Sequence, residues 1–120
     1  MAEIKNLSSG KPRAKHYDLE DRTLQFAREV FKFINGVSKT LPNIEVGKQL
    51  ARSAGSVGAN YIEANESISK KDFILRIKIC RKEAKETRYW LMLLECSEEL
   101  RVEKEKLIQE YLIREFRHLI

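Results

Sequence analysis

Few residues of this chain have the types and spacing that catalysis requires. Its two histidines, His16 and His118, lie near opposite ends of the sequence, and neither has an evident triad partner. The sequence contains no glycine-rich phosphate loop, no His-Glu-x-x-His zinc motif and no nucleophile elbow. It also lacks the Glu-x-x-His motif on each of two helices that di-iron bundles use. We therefore expect no enzymatic activity, no cofactor and no metal.

Polar residues do fall on the inner faces of two predicted helices. Spacings of four and three place Ser56, Asn60 and Glu63 on one face of the second helix. Four residues cluster similarly on the third: Glu83, Glu86, Thr87 and Trp90. A buried carboxylate must be paired, hydrogen-bonded or protonated. Either Glu63 and Glu86 line a ligand or metal pocket, or they belong to a polar network that fixes helix register. The partners available for that network are Arg52, Asn60 and Arg88.

Basic residues concentrate in the third predicted helix. Residues 70–89 hold eight basic and three acidic residues, a net charge of +5, whereas residues 95–120 carry −2. Four basic residues occupy the helical face opposite the apolar stripe: Lys78, Arg81, Lys82 and Lys85. They form either an exposed ridge that binds nucleic-acid phosphates or only a solvated face. We find no aromatic side chain interleaved with them.

The first two helices are predicted from apolar periodicity. The first begins near Asp18, and apolar residues then recur every three or four positions up to Val37. Pro42 marks the turn into the second helix, residues 44–65, which is rich in small residues. Glycine costs about 1 kcal/mol relative to alanine in a helix. The glycines of this helix therefore indicate either close packing against a neighbouring helix or access of a ligand to the backbone.

Two further helices complete the predicted fold. The third begins after a capping box at Ser69 and Asp72 and continues to about Leu100, and the fourth runs from Val102 to the end. Short connections between four helices predict an all-α, antiparallel up-and-down four-helix bundle. We expect residues 18–120 to form this single domain and residues 1–17 to form a flexible N-terminal arm.

Composition supports the same fold class. The chain has 120 residues, of which 42% are hydrophobic, enough for one modest core. Five glycines and two prolines are too few for the chain reversals of an all-β sandwich or barrel. The net charge of +5 makes an anionic partner possible without identifying one.

The cysteines and the N-terminal segment predict the compartment. Cys80 and Cys96 both fall within the third predicted helix, where sixteen residues span roughly 24 Å. A disulfide needs Cα atoms within about 7 Å, so we expect reduced, buried thiols. Residues 1–15 have no apolar segment like that of a secretory signal peptide, and no stretch has the length of a membrane span. We expect a cytoplasmic protein that does not contact membranes.

Two motifs resemble those of a known family. The first lies in the second helix and reads Gln49-Leu50-x-Arg52-Ser53-Ala54-x-Ser56-Val57-x-Ala59-Asn60-x-x-Glu63-Ala64. The second reads Lys71-Asp72-Phe73, then Glu83-Ala84-x-Glu86-Thr87-x-x-Trp90-Leu91. Asp18-Leu19 and Phe26-Ala27-x-x-Val30 agree as well. The pattern resembles the 23S rRNA intervening-sequence protein family over residues 18 to about 115, although Tyr61 replaces a smaller residue.

The resemblance implies an assembly more than an activity. Members of this family form antiparallel four-helix bundles that associate into ring-like homopentamers, and no enzymatic activity accompanies them. They are named for their occurrence within intervening sequences of bacterial 23S rRNA genes. Similar bundles in diversity-generating retroelements are basic pentamers that bind nucleic acid and a reverse transcriptase. The resemblance makes five residues part of the bundle or subunit interface: Arg52, Asn60, Glu63, Glu86 and Thr87.

These observations lead to two hypotheses about function. The first is a non-enzymatic homo-oligomer, expected to be a pentamer, which binds RNA or DNA through its basic surface. The broad apolar faces of the first and fourth helices favour assembly on physical grounds, because a lone bundle needs only one inward stripe per helix. The alternative is a protein-binding adaptor whose basic charge is incidental.

Overall fold

The computed structural model describes residues 15–110 and 113–120, whose regular secondary structure is all helical. Its five helical segments are α1 (Lys15–Gly36), α2 (Leu41–Asn65), α3 (Lys70–Leu93), α4 (Glu98–Glu110) and α5 (Ile113–Arg117). They pack into a four-helix bundle in which α1, α2 and α3 are the first three helices and α4 with α5 is the fourth. The all-α fold class is confirmed.

Contacts between the helices establish their antiparallel order. Thr23 lies against Gly58 and Ile34 against Gly47, so α1 and α2 run in opposite directions. The hydrogen bonds from Cys80 to Val57 and from Thr87 to Ser53 show the same for α2 and α3. Between α1 and the last helix, Gly36 meets Leu100 while Arg22 pairs with Glu115.

Side-chain caps begin two of the helices. The hydroxyl of Thr40 accepts a hydrogen bond from the Asn43 backbone N–H at 3.2 Å, and Pro42 lies in the first turn, where a missing N–H costs nothing. The hydroxyl of Ser69 accepts from the Asp72 N–H at 3.0 Å, which confirms the cap predicted there. Thr40 thus starts α2 at Leu41, earlier than the predicted residue 44.

The helix ends differ from the prediction at three further places. α1 begins at Lys15 rather than Asp18, and the first fourteen residues of the predicted arm lie outside the described part of the chain. α3 ends at Leu93 rather than near Leu100, because Leu94 adopts an extended conformation and the side chain of Asn43 binds the backbone of Glu95. α4 accordingly begins at Glu98 instead of Val102.

This earlier end of α3 also corrects the position of Cys96. The cysteine lies in the connection between α3 and α4, not on the same helix as Cys80. Both thiols are free, Cys80 within the core and Cys96 half-buried.

The core consists of two apolar clusters. One surrounds Phe26, Val30, Leu50 and Leu91, and Trp90 packs against it from the side. The other is built from buried residues nearer the opposite end of α2: Leu19, Val57, Tyr61, Ala64, Ile77, Cys80, Ala84 and Phe116. The rings of Tyr61 and Phe116 meet with centroids 5.8 Å apart, so the residue that departs from the family pattern fills space against the last helix.

Close packing explains one of the glycines in α2. A Cβ at Gly58 would lie 2.9 Å from Thr23 Oγ1, so glycine there lets α1 approach. A Cβ at Gly47 would lie 3.4 Å from Ile34, which is an ordinary contact distance. A Cβ at Gly55 would meet nothing within 4 Å, so packing inside this bundle does not require glycine there.

Candidate nucleic-acid interface

Arg52 joins α2 to α3 through two carboxylates. Its Nη2 atom lies 3.4 Å from Glu83 Oε1 and 3.2 Å from Glu86 Oε1. The Glu83 side chain is only 8% exposed, whereas Arg52 and Glu86 lie nearer the surface. The arrangement satisfies a carboxylate that the packing of α3 against α2 has largely removed from water.

A buried hydroxyl pair lies one residue further along each helix. The hydroxyls of Ser53 and Thr87 are 2.9 Å apart, and Thr87 Oγ1 also lies 2.8 Å from the Glu83 carbonyl oxygen. Ser53 Oγ lies 3.3 Å from the carbonyl of Leu50. Both side chains are fully buried, so these bonds spare the two hydroxyls an uncompensated loss of water.

Asn60 and Glu63 belong to a separate group at the other end of the α2–α3 contact. Arg76 Nη1 donates to Asn60 Oδ1 at 3.5 Å, and Arg76 Nη2 lies 4.0 Å from Glu63. Asn60 itself donates to the carbonyl of Ser56 at 2.9 Å. Arg76, omitted from the expected network, is thus the partner of both residues.

Glu63 and Glu86 are therefore not brought together. Their arginine partners hold them at different levels of the bundle, because Arg76 and Glu86 are ten residues apart on α3, or about 15 Å along its axis. Within the described part of the chain, no three acidic, cysteine or histidine side chains are grouped as metal ligands. The geometry favours two register-fixing contacts over one shared pocket.

Burial affects the two titratable side chains beside this contact. It raises the pKa of the Cys80 thiol to about 12, and the thiol donates to the Val57 carbonyl at 3.5 Å. Burial also raises the pKa of Tyr61. Neither group is suited to nucleophilic or acid-base chemistry near neutral pH.

The predicted basic residues lie on the outward side of α3. Lys78, Lys82 and Lys85 are exposed, and Arg81 is half-buried at the edge of this surface. The Lys82 ammonium lies 3.9 Å from Glu83, but among the described residues Lys78, Arg81 and Lys85 form no ion pair. We call Lys78, Lys82 and Lys85 the lysine row, since their spacings of four and three align them along the helix.

One residue of this surface was missed by the sequence analysis. Tyr89 follows Lys85 by four positions and so continues the lysine row, with 56% of the residue exposed. No aromatic side chain lies between the lysines themselves, but Tyr89 extends this surface at its C-terminal end. The repeating four-three-four spacing from Lys78 was the signal that would have found it.

Trp90 supports Tyr89 from the bundle side. The two rings are in edge contact, with centroids 5.2 Å apart and an interplanar angle of 66°. Trp90 packs on the first core cluster, and its Nε1 is the one buried side-chain nitrogen or oxygen without a hydrogen bond among the described residues.

Sequence comparison places this bundle among known proteins. Residues 6–119 match the family model described as 23S rRNA-intervening sequence protein. The chain belongs to this family. The chain is 36% identical to a Bacteroides thetaiotaomicron protein with unknown function from the S23 ribosomal protein family. The crystal structure of that protein matches this bundle with a TM-score of 0.66. The match covers 83% of this chain and 92% of the Bacteroides chain. No functionally curated protein matches.

Membership of the 23S rRNA-intervening sequence protein family supports the fold and assigns no reaction. Both the family description and the similar structure are without an established activity. In the described residues, no helix combines the length and apolar character needed to cross a membrane.

Proposed function

We propose that this chain is a cytoplasmic, non-enzymatic homo-oligomer that binds nucleic acid through the lysine row on α3. The observation that carries the proposal is the alignment of Lys78, Lys82 and Lys85 on one exposed surface, where two of the three have no carboxylate partner among the described residues. Unneutralised cations in a line attract a phosphate backbone and release its counterions on binding. Arg81 adds charge at the edge of the same surface.

Salt dependence tests the nucleic-acid part of this proposal. We expect a structured 23S rRNA fragment to bind at low salt and to dissociate as salt rises, measured by fluorescence anisotropy. Changing Lys78, Lys82 and Lys85 to Gln removes the three cations without placing a carboxylate beside Glu83, and it should weaken binding and lower the slope of log K against log salt by about 2 to 3. Arg81 is left unchanged because it is half-buried and its replacement risks disturbing the helix.

A matched variant controls for net charge. Lys32, Lys106 and Arg117 are exposed on α1, α4 and α5, so their replacement by Gln gives the same total charge change away from the row. The proposal requires this control to retain most of the binding and of the salt slope. If both variants lose the same amount of binding, the lysine row contributes only to a general charge effect. If the unaltered protein does not bind the RNA at low salt, the proposed nucleic-acid binding is refuted.

The face formed by α1 and α2 supports self-association. A groove of about 570 Å³ runs between these helices and is lined by Leu24, Phe31, Gly55 and Ile62, among others. A second depression of about 260 Å³ continues along the same helix pair past Ile44. Leu24 and Ile62 are each 52% exposed, and Gly55 leaves its backbone open to a close neighbour. Exposed apolar side chains gathered along one groove favour contact with another protein surface.

Light scattering after size exclusion tests the assembly. Five copies of 14.1 kDa give about 70 kDa, the mass expected of a pentamer. Changing Leu24 and Ile62 to Glu should lower that mass, because both carboxylates would be desolvated between copies. Val102 is 76% exposed on α4, and its change to Glu should leave the mass unaltered.

A protein-binding adaptor is the second candidate, favoured by the same groove. It predicts a chain that is monomeric alone and captures a different protein in a salt-insensitive way. A monomer that does not bind RNA at low salt would favour the adaptor hypothesis over the nucleic-acid-binding hypothesis.

A further inference from the structure

The outward surface of α3 carries an aromatic residue in line with its cations. Lys78, Lys82, Lys85 and Tyr89 follow spacings of four, three and four, which stack successive side chains along one side of a helix. From Lys78 to Tyr89 the surface extends about 16 Å along the helix axis. That is the length of roughly five nucleotides stacked at about 3.4 Å each.

The Tyr89 ring lies against the ring of its neighbour in the chain. Its ring contacts Trp90 edge-on at a centroid distance of 5.2 Å, and Trp90 packs against the core cluster around Leu91 and Leu107. More than half of the tyrosine remains exposed despite this contact. A supported, exposed ring loses little conformational entropy when a flat ligand stacks on it.

We propose that Tyr89 stacks on an unpaired base of single-stranded nucleic acid whose phosphates contact the lysine row. The inference rests on the proposed nucleic-acid binding and adds the class of ligand. Base faces are accessible to an aromatic side chain in single strands and loops, whereas in a duplex they are covered by neighbouring bases. A line of cations that ends in an aromatic residue combines the two interactions by which proteins hold single strands without reading their sequence.

The composition of the surface distinguishes it from a contact between subunits. Protein interfaces are depleted of lysine at their centres, yet the three positions that precede Tyr89 in the row are all lysine. The apolar groove between α1 and α2 offers a better surface for a second copy. Tyr89 therefore belongs with the cations that share its side of α3.

The test compares single strands with duplexes. We would measure binding of the full chain to a labelled single-stranded RNA of about 12 nucleotides and to a duplex of the same length, by anisotropy over a range of salt concentrations. Tyr89→Ala should weaken single-strand binding by about 5- to 30-fold and leave duplex binding within about twofold. The salt slope should not change, because no phosphate contact is removed.

Four controls separate stacking from other roles of the tyrosine. Tyr89→Phe should retain binding, and Tyr89→Leu, which keeps apolar area without an aromatic face, should lose it. Leu75 lies three positions before Lys78 on the same side of α3 and is 54% exposed. Leu75→Ala is therefore the matched truncation, and it should not change single-strand binding. An oligonucleotide without bases should bind the original protein and Tyr89→Ala equally.

The possible outcomes separate this inference from the function on which it rests. If the unaltered protein binds neither RNA, the proposed function fails together with the inference. If the unaltered protein binds RNA with a strong salt dependence, but Tyr89→Ala binds single strands with the same affinity, only the inference fails. If Tyr89→Ala instead lowers the mass measured by light scattering, Tyr89 is a subunit contact and the stacking role is overturned.

Discussion

Asn43 and Glu95, 52 positions apart, are joined by a reciprocal pair of hydrogen bonds. The Asn43 side-chain amide donates to the Glu95 carbonyl at 3.0 Å and accepts from the Glu95 N–H at 3.1 Å. Its nitrogen also donates to the Ser38 carbonyl at 3.0 Å. One buried side chain therefore ties the α1–α2 connection to the α3–α4 connection and satisfies backbone groups that the helix ends leave unpaired.

The first prediction follows from this contact. Asn43→Ala removes all three bonds of a buried side chain that joins two connections, so we expect a loss of about 2 to 4 kcal/mol in the free energy of unfolding. Urea denaturation followed by circular dichroism measures it. Asn35→Ala is the control, because Asn35 is exposed on α1 and its loss should cost less than about 0.5 kcal/mol. Equal denaturation midpoints for the two variants would contradict the role of Asn43.

Local sequence signals predicted most of the fold but not the end of α3. The Ser69 cap and the apolar periodicity of each helix act within a few residues, so they can be read directly from the sequence. The apolar stripe of α3 continues through Leu94, and the only local sign of a break is Ser97 followed by Glu98 and Glu99, a pattern typical of a helix start. The break follows from the bond between Asn43 and Glu95, which exists only after distant segments have packed together.

In the candidate site, too, local spacing predicted some features, and others depend on contacts between distant segments. The lysine row was predictable because helical spacing alone aligns its members. The pairing of Glu63 with Arg76 was not predicted, because it depends on the register of α2 against α3, whereas Arg52 was among the partners that the sequence offered to Glu86. Tyr89 was equally predictable, because it lies four positions after Lys85 on the same helix.

The second prediction contrasts two glycines of α2. Gly58→Ala should destabilise the protein by about 1 to 3 kcal/mol, since its methyl group would lie 2.9 Å from the buried Thr23 hydroxyl and force a shift of α1 or α2. Gly55→Ala places its methyl group in open space, so the better helix propensity of alanine should stabilise the bundle by about 0.5 to 1 kcal/mol.

Denaturation at several protein concentrations measures both glycine effects and separates helix stability from assembly. A stabilising Gly58→Ala would show that α1 and α2 have room to separate at that level. A Gly55→Ala variant that becomes less stable only at high protein concentration would instead indicate that another copy approaches α2 at this residue.

The third prediction concerns the two thiols and alkaline pH. Burial raises the pKa of Cys80 to about 12, so its thiolate forms far more readily in the unfolded chain than in the folded one. The contribution of this group to the free energy of unfolding is fully present below the ordinary thiol pKa. It declines as pH rises from about 9 towards 12, by up to about 1.4 kcal/mol per pH unit. Tyr61, whose pKa burial also raises, adds a decline of the same sign.

Two measurements check the thiol prediction. Between pH 8 and 11, the free energy of unfolding measured by urea denaturation should decline less in Cys80→Ala than in the original protein. This difference in slope is expected even if the variant is less stable at pH 8. A thiol reagent should modify Cys96 quickly in the folded state and Cys80 only after unfolding, because only Cys96 has partial access to solvent. Equal labelling rates for both cysteines in the folded protein would show that α3 opens around Cys80.

The last prediction concerns the ion pair that holds α2 against α3. Arg52→Ala leaves the Glu83 carboxylate, which is 8% exposed, with the Lys82 ammonium at 3.9 Å as its one cationic partner among the described residues. We expect a loss of about 1 to 2 kcal/mol, limited by the partial exposure of Arg52 itself. Glu86→Gln should cost less, because Glu86 remains accessible to water and Arg52 keeps its bond to Glu83.

A double variant distinguishes an uncompensated charge from lost packing. Arg52→Ala with Glu83→Gln removes the buried carboxylate together with its partner, so it should be more stable than Arg52→Ala alone. Urea denaturation of the single and double variants gives the coupling energy directly. If the two losses simply add, the arginine stabilises the helix contact through its aliphatic carbons, and Glu83 tolerates burial by virtue of Lys82.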